Sequence, residues 1–293
     1  MAVVGAHVGL ALLLGHANAE LLVSSYNGPI SAIASNGTSS VFATGYNHPY
    51  GMAFDSTGNL FVAVLGDNVI SKIAPDGTSS TFATGLNVPV SIAIDPSGNL
   101  FVSLFSDSSI AKITPAGVVS TFAAGGLVNN PFGLAFNASG DLFVSNSGNS
   151  SIAKITAAGT VSAFASGGGL STPTGIAFDA AGDLFVANQY AGYISRVTPS
   201  GTVSTFASSA RFSNSAGLAF DTLGDLFVAN VDDNSISRVT PSGVVSTYAV
   251  TDKPVGLAFQ SAVPEVDPAG IGSVLALLGG VLGLVERRRL KVA

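Results

Sequence analysis

Hydrophobic residues along this chain fall into short runs of four to seven, rich in Val, Ile, Phe and Thr. Gly, Pro, Asn and Asp separate them, and such spacing predicts β-strands joined by tight turns. Residues 60–95 show the scheme in four segments, 60–65, 70–74, 80–84 and 89–95. Pro75-Asp76-Gly77 separates the second from the third. Proline presets φ for a turn and glycine accepts the positive φ that closes it. Asp95-Pro96-Ser97-Gly98-Asn99 follows the fourth, with an aspartate able to accept backbone N–H groups across the turn. Sequential strands with short connections make an antiparallel meander.

The pattern recurs. Gly58-Asn59-Leu60-Phe61-Val62 returns at Gly98, Gly140, Gly182 and Gly224, at spacings of 40, 42, 42 and 42 residues, and a degenerate copy opens at Glu20. A fixed period of this length marks an array of one supersecondary unit. Six segments of the fourth kind are present, at residues 49–55, 89–95, 131–137, 173–179, 215–221 and 254–260. Their centres alternate small with large apolar residues, as in Gly51-Met52-Ala53-Phe54. Small side chains at every second position are expected where sheets converge on an axis. The predicted fold is all-β, a six-bladed propeller of four-stranded antiparallel blades. The unit at residues 20–262 opens with a first-type segment (21–26) and closes with a fourth-type one (254–260). Neither is a whole blade, so the two ends are expected to pair and close the ring.

Composition narrows the chemistry. The 293 residues are 47% hydrophobic and only 10% charged, and contain no cysteine. Disulfides, thiolate catalysis and cysteine-bound zinc are therefore excluded. Residues 20–264 hold seven cations against fourteen anions. A nucleic-acid binder needs the opposite sign, and that class is set aside.

The wording Pro-x-Gly-Leu-Ala-Phe-Asp-x-x-Gly-Asp-Leu-Phe-Val-Ala-Asn followed by Ile-Ser-Arg-Val, as in residues 173–197 and 215–239, resembles the NHL repeat. The resemblance implies the propeller fold over residues 20–262 and leaves the chemistry open, since such propellers include binding and enzymatic members. The segment 236–243 is also similar to blades of streptogramin lyases, and sugar lactonases share the fold.

The two repetitive turns lie at one end of the meander. The variable connections lie at the other, the face where binding usually sits. Asn146, Asn188 and Asn230 occupy one repeat position there, where the other blades carry Ser25, Val64 and Leu104. With Asp232 they are the candidate ligand-binding residues. Such side chains could hydrogen-bond sugar hydroxyls or coordinate Ca²⁺, and they also end strands and form turns. No other cofactor is expected. A lyase-like site implies a His–Glu pair, but only His48 remains after residue 19, and glutamate occurs only at Glu20, Glu265 and Glu286. A lactonase-like site implies a metal held by Glu, Asn and Asp. The expected function is thus non-catalytic binding of a protein partner or extracellular polysaccharide, with a metal-dependent hydrolase or lyase as the alternative. Lys72, Lys112, Lys154, Arg196 and Arg238 share one position on the third strands, where long stems cover apolar surface.

The two ends of the chain read as export signals. Residues 8–14 are apolar and Ala17-Asn18-Ala19 fits a small-x-small cleavage site, so residues 1–19 are expected to be a signal peptide; a buried first element is the alternative. Residues 269–285 carry no charge and, as a helix of roughly 25 Å, reach the short limit for crossing a bilayer. Arg287-Arg288-Arg289 follows, which places the tail in the cytoplasm and the propeller outside. With Pro264-Glu265 upstream, residues 263–293 resemble the PEP-CTERM sorting signal. That resemblance implies an exosortase partner, an inner-membrane intermediate, and delivery to the surface or matrix of a Gram-negative bacterium. Val266 stands where the motif has a second proline. The alternative is a packed core helix.

Overall fold

The computed structural model describes residues 20–260; the signal peptide and sorting tail read from the sequence lie outside them. Among the described residues are six four-stranded antiparallel sheets. The innermost strands are Pro254–Phe259, Pro49–Phe54, Pro89–Ile94, Pro131–Phe136, Pro173–Phe178 and Ser215–Phe220, belonging to blades one to six. Each inner strand packs against the inner strands on both sides, and the last meets the first. The ring is closed.

Closure happens as the segment order predicts. Leu21–Ser25 pairs with Pro254–Phe259, in the register Leu21↔Phe259, Leu22↔Ala258 and Val23↔Leu257. Blade one is therefore built from both ends of the propeller chain. Every side chain of Leu21–Ser25 is buried, because blade six packs on one side and blade two on the other.

The repeated Leu-Phe-Val wording has a packing reason. Alternate residues of the second strand face opposite neighbouring blades, so both sets are apolar and buried. In blades three to six its phenylalanine is held edge-to-face by two more rings. Phe101 meets Phe122 of its own outer strand at 4.8 Å and Phe136 of the next inner strand at 5.3 Å. The same triad recurs around Phe143, Phe185 and Phe227.

The inner strands are bulged. In blade two the pairs Pro49↔Val64 and Met52↔Val62 leave Tyr50 and Gly51 facing Ala63 alone. Blades three to six carry the same irregularity at Val90-Ser91, Phe132-Gly133, Thr174-Gly175 and Ala216-Gly217. A bulge re-aims a side chain, and here the re-aimed residue lines the axis. The glycine beside it is required by close approach: a Cβ on Gly175 would sit 2.2 Å from the Ala216 carbonyl oxygen of the next blade.

Candidate functional site at the channel mouth

The two faces of the ring are chemically distinct. On the repetitive-turn face, each long turn is closed by an Asp or Asn that accepts N–H groups two and four residues on. Asp55 takes those of Thr57 and Asn59, both at 2.9 Å, and Asp95, Asn137, Asp179 and Asp221 repeat the arrangement. Partial burial would raise the Asp55 pKa, but hydrogen bonds from Asn59 and Thr57 outweigh it and hold the carboxyl below its usual value. These oxygens are already committed.

The five aligned cations are committed too. Lys154, Arg196 and Arg238 form ion pairs with Asp141, Asp183 and Asp225, each on the neighbouring strand's leading turn. Where that turn carries Asn59 or Asn99, Lys72 and Lys112 lie instead over the Phe61 and Phe101 rings, at 5.8 and 5.4 Å. They make no anion site.

On the opposite face, His48, Val88, Asn130, Thr172, Asn214 and Lys253 precede the six inner strands with φ between 38° and 54°. None is glycine, and Val88 and Thr172 are β-branched, so this left-handed turn is held by its surroundings. Their carbonyls accept the N–H groups of Leu65, Phe105, Ser147, Gln189, Val231 and Tyr26 at 3.0–3.3 Å. This sixfold clasp ties the variable loops to the axis.

The candidate amides sit one residue before that clasp, and the structure places them inward. Asn146, Asn188 and Asn230 are fully buried. Asn188 accepts the Ser171 N–H at 2.9 Å and donates to Ser195 Oγ at 2.9 Å; Asn230 donates to Ser237 Oγ at 2.9 Å. Asn146 accepts the Asn129 N–H at 3.0 Å. Buried amides with bonded oxygen and nitrogen hold loops to blades, and in this arrangement they present nothing to a ligand. Asp232 is exposed and accepts from Asn214 Nδ2 at 3.2 Å.

What the mouth presents is aromatic. Tyr26 lies 4.5 Å from the His48 ring and 6.5 Å from that of Tyr50; Tyr50 meets Phe132 edge-on at 5.6 Å. These rings come from blades one, two and four. Tyr190, 71% exposed on a blade-five loop, is within electrostatic reach of Tyr50. Burial, with the neighbouring Tyr26 and Tyr190 phenols, pushes the Tyr50 pKa well above its ordinary value, so this phenol stays neutral. Below the rings is a cavity of about 180 Å³ lined by the inner strands, among them Gly133, Gly175, Gly217 and Gly256. Sequence reasoning missed this cluster. Its signal was the second residue of each fourth-type segment, Tyr50, Val90, Phe132, Thr174, Ala216 and Val255, irregular within an otherwise regular strand.

The rim carries amide–carboxylate pairs, Asn47–Asp67 at 3.0 Å, Asn87–Asp107 at 2.6 Å and Asn214–Asp232. Each pair brings one carboxylate, and Ca²⁺ takes six to eight oxygens. Among the described residues no three His, Cys, Asp or Glu side chains come together to hold a metal. His48 is the only histidine among the described residues, and its ring packs against Tyr26 at a tilt of 46°.

Closed blades, bulged inner strands and a mouth fed by variable loops define an NHL-like six-bladed propeller. Residues 37–258 match the virginiamycin B lyase family, and the chain belongs to it. No curated protein matches the chain. Many solved structures share the fold, three of them as follows. Catalytically inactive virginiamycin B lyase from Staphylococcus aureus, a histidine-to-alanine form with quinupristin, is 18% identical, covers 84% of this chain and 94% of that one, and has a TM-score of 0.66. A chain of a nidogen/laminin complex is 17% identical over 83% and 99%, with a TM-score of 0.75. A gluconolactonase from Xanthomonas campestris is 20% identical over 72% and 79%, with a TM-score of 0.62.

Proposed function

We propose that this chain is an exported, surface-sorted propeller that holds an extracellular ligand, a polysaccharide or a protein partner, at the mouth of its variable-loop face without turning it over. The observation that carries the reading is the convergence of Tyr26, His48, Tyr50 and Phe132 from three blades on one opening. Among the described residues, carboxylates around it are spread over the rim in amide–carboxylate pairs. Export rests on residues 1–19, and sorting by an exosortase on Pro264, Glu265 and Arg287-Arg288-Arg289.

Family membership favours a second reading, lyase chemistry on a compound of the virginiamycin B kind. The S. aureus lyase is described as inactive once a histidine becomes alanine, and His48 lies at this mouth. A quinupristin-consumption assay followed by chromatography separates the two. The binding account expects no loss of quinupristin above a no-protein control. Turnover that disappears in His48→Ala would establish the lyase reading instead.

A further inference from the structure

Resting on that reading of the mouth, we infer that its ligand is a neutral polysaccharide, held by stacking of pyranose rings on Tyr26 and Tyr190. The two phenols are the exposed tyrosines of this face, at 37% and 71%, while Tyr50 and Phe132 form the half-buried floor. A flat ring with one polar edge suits a pyranose, whose C–H face is apolar and whose hydroxyls lie at its perimeter. Tyr26 and Tyr190 stand on different blades, so a chain of linked sugars can lie across the opening and meet both.

The rim supplies the hydroxyl partners and decides the charge. Asp67, Asp107 and Asp232 each accept a hydrogen bond from an asparagine. An ionised carboxylate has about four lone-pair sites, so each keeps acceptors for sugar O–H groups. The loops of this face hold five aspartates against Arg211 and Lys253, and Arg211 already lies 3.6 Å from Asp233. An anionic polysaccharide would meet net repulsion; a neutral one does not. A protein partner fits less well. A stable protein interface buries about 800 Å² on each side around an apolar centre. The other exposed large apolar side chains of this face are Leu127, in the loop between blades three and four, and Val250, at the end of the outer strand of blade six.

Affinity electrophoresis of the full chain through gels holding dextran, laminarin, galactomannan or hydroxyethyl cellulose tests the inference, with alginate as the anionic probe. Retardation by at least one neutral polymer and none by alginate is expected. Tyr26→Ala and Tyr190→Ala should each weaken retardation about tenfold, and the double variant should abolish it while keeping a cooperative thermal transition. Tyr190→Phe, which keeps the ring face, should retain it. No retardation by any neutral polymer, or retardation by alginate, overturns the polysaccharide assignment while leaving the mouth open to another ligand. Neutral retardation that survives the double variant overturns the mouth itself as the binding site.

Discussion

Gly175→Val should lower the stability of the propeller by about 3 kcal/mol, and by about 6–12 °C in melting temperature for a domain of this size. The reason is distance. A Cβ at this position would lie 2.2 Å from the Ala216 carbonyl oxygen and 2.9 Å from the Leu218 nitrogen, both backbone atoms of the next inner strand. Backbone cannot rotate aside as a side chain can. Relief would require the fifth and sixth blades to separate, and a closed ring transmits that displacement to all the others. Gly182→Ala is the fitting control. That residue sits in a turn at φ +87° with open space around it, so its cost is conformational only, about 1–2 kcal/mol. Thermal melts of the two variants beside the parent chain measure the difference. Equal losses would mean that the inner strands are not as close as described. Ser91 is the one non-glycine at this position, and there the hydroxyl accepts the Leu134 N–H at 3.2 Å across the blade boundary.

The second large effect concerns closure. A chain ended after Lys253 lacks the inner strand of blade one, whereas one ended after Gln260 keeps it. The lost strand removes the buried Val255 and Leu257 and the partly buried Phe259, and uncovers Leu21–Ser25, buried in the intact ring. At about 2 kcal/mol for each large apolar side chain, the missing burial alone is about 6 kcal/mol. That is comparable to the whole stability of an ordinary domain, about 5–15 kcal/mol. The shorter chain is therefore expected to lose its near-ultraviolet circular dichroism and its cooperative urea transition. The longer one should keep both. A cooperative transition in the chain ended at Lys253 would show that blade one is not built from both ends.

The fold was legible because each repeat states the same physical demands in nearly the same letters. Leu60, Phe61 and Val62 must face neighbours on both sides, Gly58 must take a positive φ, and Gly51 must let two backbones meet. A six-membered ring with an interrupted blade follows from the order of segments alone. The candidate site was legible only as a face. Asn146, Asn188 and Asn230 were sensible by residue type, but each ends a second strand that is buried on both faces, where its amide is taken up by neighbouring backbone and serine groups. Tyr26 and Gln189 stand one residue after that repeat position and emerge at the mouth. Tyr50 and Phe132 escaped notice because the bulge that turns them toward the axis leaves no separate mark in a run of apolar letters. The partners of the aligned cations were hidden differently: whether Lys72 or Arg238 finds a ring or a carboxylate depends on Asn59 or Asp225 one strand away. That exchange could have been read by comparing repeats at two positions together.

The central claim, a mouth assembled from rings of separate blades, can be observed without any ligand. Nuclear Overhauser spectra of the chain with selectively labelled tyrosine and phenylalanine rings should show cross-peaks between Tyr50 and Phe132, 82 residues apart, and between Tyr26 and Tyr50. Assignment by Tyr26→Leu and Phe132→Leu variants, each deleting its own cross-peak, would confirm the contacts. A folded chain in which Tyr50 shows neither neighbour would contradict the account.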